Sequence, residues 1–468
     1  MQFVSFIFIV FVIFVLCCYY VCPVNWRKIV LFTANMVFYY TYGIKGIAIL
    51  SIMIIVSYFA GNILDKKKNR AILFSALIMI IIPLLVLNYG EVFTGRDISF
   101  IHPVGLSFFT FKMISYIIEN YKGSLNVQYT LLDYAVYISF FPTITSGPID
   151  RPERILKQIQ IRHKFDEDSF LQGFLYVLWG YFQKMILADR LAIIVNAVYA
   201  DSIQYAGVPM ILTSIFYTLQ IYFDFAGYTY IALGIARMLG YTCQINFRQP
   251  YFSTSIKEFW QRWHISLSTW LRDYIYIPLG GNRKGTYRKY VNILITFLVS
   301  GFWHGVGLNY VIWGLIHGVY QIVGACTESW RNSIGQILGK FRRYGQVAVT
   351  FLLVNIAWVF FRSTDGFIAA INRLYLMFNF TQGNEQLRLT WLVDCGVTKT
   401  EMFVMLIAFL IVFVVDVCIY REKDICRWIL SCWFPIRIMI FYILIFAVLL
   451  FGIYGPGYDA GSFIYFQF

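Results

Sequence analysis

Charge is scarce in this chain. Lys, Arg, Asp and Glu together make up 13% of its 468 residues, against 59% hydrophobic residues. A soluble domain carries about 25% charged residues, so a water-soluble globular protein is excluded at the outset. Histidine is scarcer still, at five. The nine cysteines (Cys17, Cys18, Cys22, Cys243, Cys326, Cys395, Cys418, Cys426 and Cys432) include no CxxC pair. Most sit in or beside apolar runs, where a thiol behaves as a small hydrophobe, so neither a disulfide framework nor a metal site is expected. There is no GxSxG elbow, no internal repeat and no low-complexity segment. Acidic residues are outnumbered 24 to 38. In a chain this apolar the positive excess reads as Lys and Arg held in cytoplasmic loops, and nucleic acid is not expected as a partner.

What is present is a series of apolar runs near the roughly 18 residues that mark a membrane span. The chain is expected to be an all-α, polytopic membrane protein in a lipid bilayer. Residues 3–22 lack a basic stretch before them and a small-residue cleavage signal after them, and read as a retained first span. Runs at 29–43, 47–64 and 71–87 follow. Arg27 and Lys28, then Lys66, Lys67, Lys68 and Arg70, mark the cytoplasmic side. That leaves 91–102 as an external loop. The run 131–148 is short and carries Asp133, Pro142 and Ser146-Gly147-Pro148 between basic regions, so it reads as re-entrant, with an amphipathic cytoplasmic segment at 151–164. Spans are expected at 170–187, 208–225, 347–361, 402–420 and 436–454. Residues 231–239 look too short to cross, 244–251 reads as a loop, and 381–400 as an external polar loop.

Three of the five histidines, His264, His304 and His317, fall between residues 260 and 320. A polar ring in a bilayer is costly unless it is paired or faces water, and the default reading of such a residue is functional. Residues 259–276 suit a helix lying in the interface or dipping into the protein, not a lipid-facing span. Residues 290–302 rise from the basic turn at Arg283, Lys284, Arg288 and Lys289 toward His304. On one straight helix His304 and His317 would lie about 20 Å apart and turned by about 220°. A bend at Gly305, Gly307 or Gly314 is the alternative, but the simpler pairing is His304 with His264, with His317 in a supporting or structural role. Asp224 stands as an unpaired acid among aromatics. His102 and His163 are expected to be solvated.

The stretch WHISLSTWLRDYIYIPLGGNRKG, followed by GFWHG and WGLIHG, resembles the membrane-bound O-acyltransferase family. Further matches are FFPTITSGPIDRPERILKQI, IYFDFAGYTYIALGIARMLGY, WVFFRS and the terminal FIYFQF. The chain is most similar to the branch of bacterial alginate, polysaccharide and peptidoglycan O-acetyltransferases. SGPIDR and FDFAGY also resemble the D-alanyl transfer protein of teichoic acid modification, and Tyr230 stands where many alginate-type relatives carry Asp.

The resemblance implies one membrane domain of about eleven transmembrane helices, with re-entrant and interfacial helices, around a funnel or tunnel. Residues 1–100 would supply N-terminal spans, 101–330 the catalytic core and 331–468 C-terminal spans. It places the family's invariant histidine on His304 and its second active-site position on His264. Trp303, Asp224, Ser268, Arg272, Asn309 and His317 are the candidate substrate-binding residues. The implied reaction moves acetyl from cytoplasmic acetyl-CoA, a donor substrate and not a cofactor, across a bacterial cell membrane to a glycan acceptor or an extracytoplasmic acetyltransferase. Histidine suits the base near neutral pH. The basic residues Arg151, Arg154, Lys157, Arg283, Lys284, Arg288 and Lys289 are candidates to attract the donor's phosphates. The alternatives are D-alanyl transfer and, from a different class, a transporter or flippase, against which the lack of repeated halves argues.

Overall fold

Backbone N–H and C=O groups inside a bilayer must be satisfied within the chain, which favours helices. The computed structural model describes residues 1–95, 103–126, 129–380 and 389–454, and among these no β-strand occurs. The N-terminal part runs α1 (Phe6–Val21), α2 (Arg27–Tyr40), α3 (Ile44–Lys66), α4 (Arg70–Thr94) and α5 (Leu106–Lys122). Two short helices follow, α6 (Leu131–Ser139) and α7 (Pro152–Gln160). The centre holds α8 (Glu167–Tyr181), a π-helical stretch Phe182–Ala188, α9 (Asp189–Ala200) and α10 (Val208–Met238). Then come α11 (Ile256–Arg262), α12 (Ile265–Leu271), α13 (Gly285–His304), α14 (Leu308–Cys326), α15 (Glu328–Leu338) and α16 (Arg342–Arg362). The chain continues through α17 (Phe367–Leu376), α18 (Thr390–Asp394), α19 (Lys399–Tyr420), α20 (Ile425–Ser431) and α21 (Phe434–Phe451).

Among the described residues six helices are long and apolar enough to cross a membrane, and the α14–α15 pair, bent by 67°, makes a seventh if counted as one span. The sequence pointed to about eleven. The difference lies in elements such as α1, apolar but only 16 residues long, and α5, 17 residues long and carrying Lys112, Glu119 and Lys122. Most of the side chains of α4, α19 and α21 point outward, as bilayer-facing helices require.

The architecture is centred on α10, a continuous helix of 31 residues and 67% buried over its apolar window. At 1.5 Å per residue it is about 46 Å long, more than the hydrocarbon core of about 30 Å. The expected break between residues 225 and 231 does not occur. Gly227 and Gly234 serve close packing instead: a Cβ on Gly180 would lie 2.5 Å from the Gly227 carbonyl oxygen, and one on Gly173 2.5 Å from that of Gly234. Small residues one heptad apart let α8 and α10 touch backbone to backbone, as membrane helices do where apolar burial drives nothing. Gly180→Ala is expected to destabilise by about 1–3 kcal/mol through overpacking, read as a lower melting temperature in detergent. An unchanged melting temperature would show that the two helices can part freely.

Between α6 and α7 the chain is non-helical, and every residue from 140 to 150 is buried. That matches the re-entrant reading in its essential requirement, protein around the irregular backbone. The Phe141 N–H donates to Asn35 Oδ1 (2.9 Å), Lys112 Nζ to Thr143 Oγ1 (2.9 Å) and the Ile149 N–H to Ser266 Oγ (3.0 Å). Helix α7 buries Ile155, Leu156 and Ile159, consistent with an amphipathic segment. Helix α4 runs past residue 87 to Thr94. Residues 96–102 of the 91–102 loop, His102 included, residues 381–388 of the polar loop, and FIYFQF lie outside the described residues.

Candidate active site

Residues 259–276 dip into the protein, burying Phe259, Trp263 and Trp270, but they do so as broken helices and not as one. Helix α11 ends at Arg262, and His264 takes left-handed backbone angles (φ 41°, ψ 56°) before α12 begins. A β-carbon makes that conformation uncommon, so it persists only where neighbours impose it. Here the segment at 244–251, expected as a plain loop, clamps the turn. Ile265 N–H donates to Asn246 O (2.9 Å), Arg248 N–H to Arg262 O (3.0 Å), and Ser266 donates from N and Oγ to Asn246 Oδ1 (3.4 and 2.6 Å). Ser266 Oγ also accepts from Ile149, so the non-helical stretch supports the same turn. The imidazole is fully buried. Phe225 of α10 stands edge-on to it at 4.7 Å and Phe108 of α5 stacks at 6.5 Å.

His304 is the last residue of α13 and is 3% exposed. Helices α13 and α14 form a close hairpin, for a Cβ on Gly301 would lie 2.5 Å from Tyr310 O and one on Gly314 2.3 Å from Phe297 O. The turn at residues 305–307 overrides the straight-helix expectation that held His304 and His317 apart. Trp313 lies edge-on to His304 at 5.0 Å and 5.1 Å from His317. His304 also meets Phe361 of α16 at 5.0 Å. Trp303 contacts His304 at 4.5 Å and His264 at 6.3 Å, so one indole bridges the two imidazoles. His317 Nδ1 accepts from Trp260 Nε1 at 3.2 Å, which leaves the proton of a neutral ring on Nε2. All three histidines therefore lie along one chain of aromatic contacts.

The other sequence candidates divide. Trp303 belongs to this cluster, packed also on Phe108 and Phe111 at 6.2 and 5.5 Å. Asn309 lies next to it, buried, donating to Phe360 O at 3.4 Å. Ser268 Oγ donates to the Trp263 carbonyl at 3.1 Å, so its hydroxyl is bound to backbone one turn from His264. Arg272 is not brought to the cluster: its side chain is 60% exposed and pairs with Asp273. Asp224 is not an unpaired acid. Lys184 Nζ lies 2.5 Å from Asp224 Oδ1 and 2.8 Å from Asp189 Oδ1, with all three side chains nearly or fully buried. Lys184 comes from the π-helical stretch on α8's line, a non-local partner that proximity in sequence does not reveal. His163, expected to be solvated, is half-buried instead, its Nε2 on Gln158 O at 2.8 Å and its ring on Tyr241 at 4.6 Å. Of the basic residues, Arg151 pairs with Asp273 and Lys157 with Glu153, while Arg283, Lys284 and Arg288 stand exposed.

Sequence reasoning passed over Asn246, Phe108, Phe225 and Trp313, which carry no signal apart from tertiary contact. It also passed over Lys184, for which a signal existed: a lysine inside an expected span is a residue to question.

Residues 124–364 match the membrane-bound O-acyltransferase family. The chain is 36% identical over 372 residues to the protein named "Probable alginate O-acetylase AlgI" of Pseudomonas fluorescens, an alignment covering 77% of this chain and 72% of that one. It is 30% identical over 382 residues to a peptidoglycan O-acetyltransferase of Helicobacter pylori, covering 72% of this chain and 71% of the relative. Similarity to a teichoic acid D-alanyltransferase of Streptococcus thermophilus is 30% over 281 residues, covering 57% of this chain and 66% of the relative. With this coverage and its buried histidine cluster, the chain belongs to the membrane-bound O-acyltransferase family and is a multi-pass membrane O-acyltransferase.

Proposed function

We propose that this protein transfers acetyl from cytoplasmic acetyl-CoA to the outer side of a bacterial cell membrane, for O-acetylation of a glycan with the help of an extracytoplasmic acetyltransferase. The observation that carries the reading is the placement of His304. It ends a 20-residue helix that starts at the exposed basic turn around Arg283 and Lys284. Such a helix is about 30 Å long, comparable to a hydrocarbon core, so the imidazole stands at the far end from the basic turn, on a helix that packs closely against α14 and is not one of the six apolar enough to cross by themselves. Positive-inside segregation puts the turn, and a polyanionic donor attracted to it, on the cytoplasmic side. The acceptor then approaches from the other.

In this reading His304 is the general base. It takes the proton from the attacking hydroxyl as the oxygen bonds to the thioester carbonyl carbon, and the tetrahedral adduct collapses by breaking the C–S bond. The proton passes to the departing thiolate, leaving an O-acetyl ester and free CoA. His264, held in its clamped turn and sharing Trp303 with His304, orients the acyl group or polarises its carbonyl. Closed aromatic walls strengthen such interactions by excluding water. Trp303, Asn309 and His317 support the acyl end of the site, whereas Arg272 lies at the surface and is set aside.

The acetyl reading is favoured over D-alanyl transfer by the longer alignments to O-acetylating relatives. Protein reconstituted in vesicles with acetyl-CoA, acceptor glycan and the partner enzyme is expected to release free CoA in a time-dependent manner. Absence of CoA release in the complete system would remove acetyl-CoA as the donor.

A further inference from the structure

Helix α19 carries a carboxylate that the reaction described above does not use. Asp416 is the only charged residue between Glu401 and Arg421, in a helix otherwise built for lipid. It turns inward and is 8% exposed. Unlike Asp224, it has no Lys or Arg against it among the described residues. Its partners are neutral donors: Tyr222 O–H to Oδ2 at 3.1 Å and the Gln249 side-chain amide to Oδ1 at 3.4 Å. A buried carboxylate without a cation is costly, and its two partners show where it acts.

Gln249 has left-handed angles (φ 45°, ψ 65°), like His264 itself. It ends the segment in which Asn246 and Arg248 hydrogen-bond across the His264 turn. Tyr222 lies one turn before Phe225 on α10. Its ring packs on Phe247 at 5.7 Å and Trp263 at 6.4 Å, the aromatic nest behind His264. Phe247 in turn meets Phe225 and Trp263, each at 5.0 Å. One carboxylate therefore joins the clamp segment to the helix that bears the edge-on partner of His264.

We propose that Asp416 is a positioning residue for His264, holding the clamp through Gln249 and the aromatic nest through Tyr222. The proposal rests on His264 belonging to the acyl-transfer site. Asp416→Leu suits a lipid-facing helix while removing both acceptors. It is expected to lower kcat by roughly 10²-fold, the cost of about an ångström of misplacement. It is also expected to expose His264 to diethyl pyrocarbonate, read peptide by peptide by mass spectrometry, while His317 stays protected. Asp416→Asn, which keeps an acceptor, should recover most of the kcat and restore protection. If the leucine variant does not reach the membrane, Tyr222→Phe carries the test with a smaller change of the same kind. Unchanged kcat and protection would overturn the proposal, and so would equal exposure of His264 and His317, which indicates general loosening. An inactive wild type would count against the acetyl-transfer reading instead, while the His264 labelling would still decide the role of Asp416.

Discussion

His304→Ala is expected to lower acetyl transfer by about 10²–10⁴-fold, the range for loss of a positioned general base, with membrane insertion intact. The substitution falls at the last residue of α13, so it removes no turn of helix. The hairpin that presents the residue is held by backbone contact at Gly301 and Gly314, not by the imidazole. Alanine does forfeit ring contacts with Trp303, Trp313 and Phe361. A melting temperature measured beside the rate separates that packing loss from the chemical one. The rate is read as CoA release by reconstituted protein. A variant that is folded and within a few-fold of wild type would remove His304 from the role of base.

Lys184→Met should have the largest effect on stability. It leaves the Asp189 and Asp224 carboxylates buried without the ammonium that lies 2.8 and 2.5 Å from them. Breaking a buried ion cluster by removing one partner costs about 3–5 kcal/mol, a large part of the roughly 5–15 kcal/mol that holds an ordinary domain together. The lesion falls where the π-helical stretch meets α10, four residues beyond the tight Gly180–Gly227 contact. Loss of folded protein on detergent extraction and a lowered melting temperature are the expected readouts. The triple variant Lys184→Met, Asp189→Asn, Asp224→Asn should recover much of the loss, because a neutral cluster has no uncompensated charge. A Lys184→Met protein as stable as its parent would mean that the carboxylates are neutralised in another way.

What could be read from the residues alone followed from polarity in an apolar setting. Three histidines in a hydrocarbon-rich stretch drew attention to the positions where the structure builds its aromatic cluster. The broken run after α6 was marked by Pro142, Gly147 and Pro148, and it is indeed buried and non-helical. What escaped notice depends on contacts far apart in sequence. The continuity of α10 past residue 225 escaped local pattern because Gly227 packs on Gly180, far away in sequence. The left-handed turn at His264 exists because Asn246 holds it, and no propensity of Trp-His-Ile-Ser signals that. The straight-helix separation of His304 and His317 failed at the 305–307 turn, which Gly305 and Gly307 permitted but did not require. Asp224 has no cation beside it in sequence, and its partner Lys184 comes from the stretch expected as the preceding span.

The most direct test of the central claim is mass spectrometry of base-labile esters from the cell envelope and secreted glycans, comparing wild type with His304→Ala at matched membrane levels. Acetyl transfer through His304 predicts that ester-linked acetate is lost in the variant while D-alanine esters are unchanged. Loss of D-alanine with acetate retained would contradict the acetyl reading. No change in either ester, with the variant folded and the system expressed, would contradict the assignment of His304 as the base.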